Sequence, residues 1–239
     1  MAVKRSSSAA RMLTVFERIA AMQPIGVSAL SRELEADKSA VQRDLMTLAD
    51  AGWIRPAIAG VGQWELTPHI LTLARPPHSL DNLRQRARPV LEHLRAETGE
   101  TAYLTVPDGD QFVVVDALES QHMLRMVPPV GMVVPVEGSA TAKAILPYLP
   151  EDEQERLLDR SVSPEQRAEF AATRQRGYAV NDGEVAPSAV AMASPVFERQ
   201  GLPAGALVLT GPGERLPPER RPELGEQLRA AANQLSATA

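Results

Sequence analysis

The stretch Val-Ser-Ala-Leu-Ser-Arg-Glu-Leu-Glu-Ala-Asp-Lys-Ser-Ala-Val-Gln-Arg-Asp-Leu-Met-Thr-Leu-Ala-Asp-Ala-Gly-Trp-Ile, residues 27–54, decides the fold of the amino-terminal third of this chain. Its apolar residues recur at helical spacing in two runs, Leu30 and Leu34 in the first and Val41, Leu45 and Leu48 in the second. The pattern predicts two short helices joined by a tight turn.

The limits of these helices are marked by residues that cap or break a helix. Ser28 is expected to cap the first helix, and either Asp37 or Lys38 to open the second. Gly52 ends the second helix, because glycine readily adopts the left-handed conformation of a helix stop. An earlier amphipathic helix is predicted over about residues 10–21.

Two strand-like runs follow, residues 53–55 and 63–66, and the glycine-bearing segment between them indicates a hairpin. Three helices followed by a hairpin are typical of a winged helix-turn-helix, which places its last helix in the major groove of DNA. Trp53 and Trp64 lie on the two strands. We expect them to pack in the small core rather than to stack on a base or a ligand.

Four polar residues lie on the face of the third helix opposite its apolar stripe: Lys38, Ser39, Gln42 and Arg43. A solvated face of an ordinary helix would look the same, but the neighbouring helix, turn and wing favour DNA contact. Arg43 and Gln42 offer the bidentate geometry that reads base edges. Lys38 and Ser39, near the start of the helix, are better suited to phosphates.

Other cations of this region are weaker candidates. Arg55 beside the wing is a possible phosphate contact, and Arg11 and Arg32 are others, although each is better explained as a plain surface charge. The wing tip, residues 56–62, contains no Lys or Arg. Since minor-groove readers rely on basic side chains, we expect the wing to contribute little.

The charge is unevenly divided along the chain. The whole sequence has a net charge of −5, but residues 1–75 hold nine Lys/Arg and seven Asp/Glu, a net +2. Residues 76–239 hold sixteen Lys/Arg and twenty-three Asp/Glu, a net charge of −7. The positive part therefore coincides with the DNA-binding pattern.

The composition excludes several classes of protein. The 239 residues include no cysteine, which rules out disulfides and thiolate metal sites. No segment approaches the ~20 apolar residues of a membrane span, and the amino terminus lacks the apolar core of a signal peptide. We expect a cytoplasmic protein with no membrane partner and no cofactor.

Four segments are predicted along the chain: a flexible arm at 1–9, the winged helix-turn-helix domain at 10–67, a linker helix at 68–78, and a second domain at 79–239. The linker helix starts at Thr67-Pro68 and is broken by the prolines at 76 and 77.

The second domain mixes helices and strands without regular alternation. Helices are predicted at about 79–96, 139–146, 151–158, 164–176 and 222–235. Strands are predicted at about 101–106, 111–117, 123–127, 132–136, 178–180, 190–197 and 204–210. This order favours an α+β domain with an antiparallel sheet flanked by helices.

Three stretches, in this order and spacing, resemble the IclR family of bacterial transcriptional regulators over nearly the whole chain. The first is the helix-turn-helix and wing. The second is the small-residue turn Pro135–Ala144, which enters a helix. The third is Arg174–Ala179, followed by Ala193–Phe197 and Thr210–Pro212.

The resemblance implies an amino-terminal winged helix-turn-helix domain and a carboxy-terminal GAF-like α/β-sandwich that binds an effector. Such regulators form homodimers, often dimers of dimers. They bind palindromic operators in double-stranded DNA and respond to a small-molecule effector.

The resemblance also implies an effector pocket. It assigns to this pocket Ala140, Thr141, Asn181, Ala191, Val208 and Thr210. The backbone amides of Ala140 and Thr141 lie at a helix start, which favours an anionic ligand group. Met123, Met126 and Met132 are either an adaptable wall of the pocket or core filling.

This sequence departs from the family where the pocket is assigned. Asn181 stands at a position that is often acidic, Ala191 and Val208 at positions that are polar in some members, and Pro187-Ser188 replaces the usual glycine neighbourhood. The predicted pocket is therefore less polar, which indicates an aromatic or apolar organic acid, although Ala191 and Val208 are equally compatible with plain sheet core.

Two other functions remain open on the sequence. One is a metabolite-binding sensor module that acts mainly through protein–protein contacts. The other is an enzyme, for which Ser139 and Lys143, four residues apart, are the only conceivable nucleophile and base. No zinc-like histidine spacing, nucleophile elbow, phosphate loop or dinucleotide fingerprint supports catalysis.

Overall fold

The computed structural model describes residues 6–58, 60–73 and 78–237, and the chain forms two compact units divided between Pro76 and Pro77. The first unit contains, in order, α1 (Ser7–Met22), β1 (Ile25–Gly26), α2 (Val27–Glu33), α3 (Lys38–Asp50), β2 (Ile54–Pro56), β3 (Gln63–Leu66) and α4 (Ile70–Leu73). The strands form an antiparallel sheet in the order β1-β3-β2. This is the predicted winged helix-turn-helix fold.

The helix limits of this unit follow from local hydrogen bonds. Asp37 caps α3, and Gly52 follows the helix with a φ of 80°. The prediction that Ser28 caps α2 is wrong. Gly26 occupies that position, because Ile25 and Gly26 form the short strand β1 against Trp64 and Gln63 of β3, and Ser28 lies inside the helix.

The predicted flexible arm at 1–9 extends too far, because its last residues belong to α1. Ser6 caps α1 by accepting a hydrogen bond from the Ala9 amide, and the helix already includes residues 7–9. Residues 1–5 lie outside the described residues. The predicted linker helix is present as α4, whereas residues 74–77 at its end are likewise outside the described part.

Within the described residues of the second unit, four α-helices precede the last three strands and the final helix. In order, its elements are α5 (His78–Thr98), β4 (Thr101–Asp108), β5 (Gln111–Leu118), β6 (Val133–Val134), α6 (Ala140–Ile145), α7 (Glu151–Leu158), α8 (Pro164–Arg176), β7 (Ala179–Asp182), β8 (Ala189–Phe197), β9 (Pro203–Pro212) and α9 (Arg221–Ala237), with a 3₁₀ turn at Leu146–Tyr148. The strands form one antiparallel sheet in the order β6-β5-β4-β9-β8-β7.

The sheet of this unit is covered on both faces, because side chains alternate along each strand. Leu104, Leu207 and Leu209 pack with α5 and α9 on one face. Tyr103 and Val208 pack with α6, α7 and α8 on the other. The predicted α+β class and GAF-like sandwich are confirmed.

The sequence prediction of the second unit is wrong in one region. No strand forms at 123–127, and the strand expected at 132–136 shrinks to Val133–Val134. Pro128, Pro129 and Pro135 interrupt this segment, and proline has no amide hydrogen to donate to a sheet. The helices predicted at 151–158 and 164–176 are confirmed, and Ser163 and Gln166 form a capping box at the second.

Candidate functional site

The recognition helix α3 is amphipathic in the register that the sequence predicts. Val41, Leu45 and Leu48 are buried in the core of the first unit. Lys38, Ser39, Gln42 and Arg43 are all exposed. We call these four residues the reading face. Because they lie within six positions of one helix, the helix alone positions them.

A network of hydrogen bonds at the start of α3 uses part of the reading face. Asp37 Oδ1 accepts from the amides of Ser39 and Ala40, at 2.8 and 3.2 Å, and from the Ser39 hydroxyl at 2.6 Å. Arg43 Nη1 donates to Ser39 Oγ at 3.3 Å. The pKa of Asp37 is lowered most by the hydrogen bond from the Ser39 hydroxyl and next by the bonds from the two amides. The Ser39 hydroxyl is therefore less available to phosphate than the sequence suggests.

Arg11 is half-buried and is paired with a buried acid of the same unit. Its Nε donates to Asp44 Oδ2 at 2.7 Å, and Asp44 is a buried acid on the inner side of α3. This hydrogen bond raises the pKa of Arg11. The suggestion that Arg11 contacts phosphate is therefore replaced by a structural role, which ties α1 to the recognition helix. Sequence reasoning missed Asp44, although an acid three residues after Val41 falls on the apolar stripe.

Arg55, the wing cation that the sequence suggests as a phosphate contact, is held in an ion pair. Arg55 Nε donates to Glu65 Oε1 at 2.8 Å, across the directly paired positions of β2 and β3. At the tip, Ile58 and Val61 are 87% and 108% exposed. The wing thus presents apolar side chains where a strong DNA contact would need cations.

The two tryptophans pack as predicted. Trp53 and Trp64 border the core of the first unit, and the Trp53 ring makes edge contacts with Phe16 at 5.5 Å and His69 at 4.6 Å between ring centroids. They stabilise the wing and do not form a free stacking platform.

The second unit contains a cavity of about 180 Å³ between the sheet and the start of α6. Its apolar lining residues are Met126, Val127, Pro128, Met132, Val134, Pro135, Ala140, Val185, Ala186, Ala189 and Ala191. Its polar lining residues are Tyr103, Ser139, Thr141, Asn181 and Thr210. Among the described residues the lining carries no ionisable acid or base other than the phenol of Tyr103, so the site is close to neutral.

Most of the pocket residues that the family pattern assigns do meet here. Ala140, Thr141, Asn181, Ala191 and Thr210 all line the cavity. Val208 does not, because it is fully buried in the core beneath the cavity on the same face of the sheet.

Two of the three candidate methionines form part of the cavity wall, and the third is exposed. Met126 and Met132 line the cavity. Met123 is neither wall nor core, since it is 98% exposed in the segment where the predicted strand fails to form.

Four of the polar side chains in the lining are already engaged by the protein. Ser139 Oγ caps α6 by accepting from the Ala142 amide at 3.1 Å. Thr210 Oγ1 donates to the Val190 carbonyl at 3.0 Å, and Asn181 Nδ2 donates to the Gly138 carbonyl. Thr141 Oγ1 lies 3.3 Å from Thr105 Oγ1. These bonds hold the cavity wall in place.

Sequence reasoning missed Tyr103 and the loop residues of the cavity. Tyr103 lies on β4 opposite Val208 and is 7% exposed, and burial raises the pKa of its phenol. Val127, Pro128, Val185 and Ala186 come from irregular segments, which carry no periodic signal. Tyr103 was detectable only as an aromatic residue within a predicted strand.

Ser139 and Lys143 do not form a nucleophile–base pair. The Ser139 hydroxyl is used as a helix cap, and Lys143 Nζ is paired with Glu184 and, at 3.3 Å, with Glu169. Within the described part of the chain, no group of His, Asp and Glu side chains is arranged to hold a metal ion. Over the same residues, no helix is long and apolar enough to cross a membrane.

A winged helix with an exposed polar recognition face is typical of the class of transcriptional regulators. Residues 78–237 match the family model described as "Bacterial transcriptional regulator IclR C-terminal". The chain therefore belongs to the IclR family.

Individual relatives agree with this assignment. The chain is 27% identical over 225 residues to the transcriptional repressor IclR of Escherichia coli K12, which covers 89% of this chain and 82% of that protein. It is similar to the crystal structure of Pseudomonas aeruginosa HmgR, with a TM-score of 0.75, 26% identity, and coverage of 98% and 99%. The IclR family and the Escherichia coli relative are regulators of transcription rather than enzymes.

The fold also matches an IclR homolog from Microbacterium hydrocarbonoxydans that was solved in complex with 4-hydroxybenzoate. The TM-score is 0.77 at 20% identity, and the match covers 98% of this chain and all of the other. At this identity the likeness concerns the fold.

Proposed function

We propose that this protein binds a palindromic operator through the reading face of α3, and that a small aromatic or apolar organic acid in the cavity of the second unit controls this binding. The observation that carries the proposal is the pairing of an exposed polar recognition helix with a neutral, mostly apolar cavity in one chain.

On the DNA side, Arg43 and Gln42 are proposed to read base edges and Lys38 to contact phosphate. Lys38 and Gln42 have no polar partner among the described residues, so they are available without breaking a protein contact. Ser39 and Arg55 have a smaller proposed part, because each must first give up a bond, to Asp37 and to Glu65 respectively.

Assembly as a homodimer or a dimer of dimers would place two or more reading faces on one operator. The first 75 residues carry a net charge of only +2, which is weak attraction for one chain. Because phosphate contacts add across protomers, an oligomer multiplies this attraction and strengthens its dependence on salt.

On the effector side, the cavity size favours a compact ligand. An apolar cavity of ~150 Å³ is large enough for benzene, so the 180 Å³ found here fits a single substituted ring. The IclR homolog from Microbacterium hydrocarbonoxydans holds such a molecule, 4-hydroxybenzoate, and so provides a first compound to test.

The carboxyl group of an acid would lie at the start of α6. The Ser139 side chain and carbonyl satisfy the amides of Ala142 and Lys143, which leaves the amides of Ala140 and Thr141 without a protein acceptor. Two amide donors reduce the cost of burying an anion in a lining without a cation.

Gel-shift titration with the intergenic DNA upstream of the protein's own gene tests the DNA part. We expect a sharp, sequence-specific band that persists at moderate salt, and its release by the effector. Binding that fades with salt and ignores sequence would instead favour a sensor that acts through protein contacts.

Thermal-shift measurements with benzoate and 4-hydroxybenzoate test the effector part, with pyruvate as the small polar control. An acid present at a hundred times its dissociation constant stabilises the fold by about 2.7 kcal/mol. A larger shift with pyruvate than with either aromatic acid would contradict the proposed effector class.

A further inference from the structure

Tyr103 is the one polar residue of the cavity lining whose side chain makes no hydrogen bond to another described residue. Among the described residues it has no hydrogen-bond partner, whereas Ser139, Thr141, Asn181 and Thr210 all do. A buried hydroxyl without a partner is unfavourable, so native proteins normally provide one.

The position of Tyr103 places its side chain on the cavity side of the sheet. The residue is more than nine-tenths buried, it is paired with Val208 of β9 and Ala117 of β5 in the sheet, and its side chain lies on the face that carries α6. Since Tyr103 is a lining residue, the small surface it retains belongs to the cavity wall.

We propose that Tyr103 is a specificity-determining residue that donates a hydrogen bond to the oxygen of a hydroxyl group on the effector's ring. The site therefore selects hydroxylated aromatic acids over their unsubstituted or methylated analogues. This inference rests on the proposed function, which places the carboxyl group at the start of α6. The other polar side chains of the lining, Ser139, Thr141, Asn181 and Thr210, each already make a hydrogen bond within the protein.

The chemistry of Tyr103 suits a neutral donor. Burial raises the pKa of the phenol, which therefore keeps its proton at physiological pH. A site that supplies a hydrogen bond to a ligand hydroxyl discriminates strongly against an analogue that lacks it, because the buried partner is then left unpaired.

Calorimetric titration of the whole protein with 4-hydroxybenzoate and 4-methylbenzoate tests the proposal, since the two probes have nearly the same shape. We expect the wild type to bind the hydroxylated acid at least about tenfold more tightly. In Tyr103→Phe, which keeps the ring, the ratio should fall close to one through loss of affinity for 4-hydroxybenzoate.

Tyr148→Phe is the matched control, because it removes the same group from a residue outside the cavity lining. It should leave the ratio unchanged. Thermal unfolding of each ligand-free variant reports whether the fold is retained, and the wild-type ratio tests the proposal without any variant.

The outcomes separate this inference from the proposed function. If both acids bind but the wild type shows no preference, or if Tyr103→Phe weakens both equally, the inference is overturned and the effector class stands. If neither acid binds the wild type, the proposed effector class fails, and the role of Tyr103 fails with it.

Discussion

The reading face and the cavity are built in opposite ways. The reading face consists of exposed side chains on one helix, and among the described residues two of them, Lys38 and Gln42, have no polar partner. The cavity wall is assembled from residues between 103 and 210, and its polar side chains other than Tyr103 are bonded to other parts of the same unit. Substitutions on the reading face are therefore expected to change function without changing stability, whereas substitutions in the cavity wall are expected to change both.

The largest effect is expected from Thr141→Trp, which fills the cavity. Thr141 is 1% exposed and faces Thr105, so an indole has no room without displacing the wall. We expect complete loss of effector-induced release from DNA, together with destabilisation by about 1–3 kcal/mol from overpacking.

Gel shifts with and without effector, and urea unfolding, measure the two effects of this substitution. Thr141→Ser is the control, because it keeps the hydroxyl near Thr105. A normal effector response in Thr141→Trp would move the binding site to another part of the unit.

Arg43→Ala should affect DNA binding alone. Loss of one good base contact removes about 1–3 kcal/mol of discrimination between operator and random DNA. Because Arg43 is exposed, its removal should change the free energy of unfolding by no more than about 0.5 kcal/mol. Competition gel shifts and urea unfolding measure the two quantities.

Arg18→Ala provides the matched control for this prediction. Arg18 is another exposed arginine of the first unit, paired loosely with Glu33 at 3.6 Å. Equal losses of specificity in the two variants would show a general charge effect and not a base contact by Arg43.

Ser139→Ala tests the coupling of stability and ligand binding at the cavity. Removing a helix cap costs about 1 kcal/mol of stability. We also expect weaker effector binding, since the cap orders the turn whose amides are proposed to bind the carboxylate. Urea unfolding and calorimetric titration give the two values.

Ser163→Ala removes a comparable cap from α8, and Ser163 does not line the cavity. It should lower stability by a similar amount and leave effector affinity unchanged. If both variants weaken the effector equally, the loss comes from general loosening of the unit.

The smallest effect concerns pH and Asp37. Hydrogen bonds from Ser39 and Ala40 lower the pKa of Asp37 in the folded state. Its contribution to stability is therefore present above the ordinary aspartate pKa of ~3.9 and is lost as the pH falls through the lower folded value.

Asn also caps helices well, so Asp37→Asn should be only slightly less stable than the wild type at pH 7. The difference should shrink as the pH falls below the ordinary aspartate pKa, because Asp37 then becomes protonated. Thermal unfolding from pH 7 to pH 2 measures it, and a difference that is constant with pH would contradict the assigned cause.

Local pattern was enough for the recognition helix. The 3.6-residue spacing of Val41, Leu45 and Leu48 places Gln42 and Arg43 on the outer face, and the structure agrees. The same reasoning failed at residues 123–127, where an apolar run suggests a strand but the neighbouring prolines prevent pairing. It also failed for Arg11, because its partner Asp44 lies 33 residues away.

The candidate cavity was partly predictable, and only through the family pattern. That pattern located Ala140, Thr141, Asn181, Ala191 and Thr210, all of which line the cavity. It misplaced Val208, which is on the correct face of β9 but is covered by core. No local signal marks Tyr103 as different from any other strand aromatic.

The main helices and the outer face of α3 follow from the sequence alone, because they depend on contacts between residues a few positions apart. The cap of α2 does not, because Gly26 is placed by pairing with β3. Only the tertiary structure decided which side chains enclose the cavity and which polar groups stay unsatisfied there. The physical reason is that burial and hydrogen-bond satisfaction are properties of neighbours in space, and the sheet brings Tyr103 and Thr210 within one wall although 107 positions separate them.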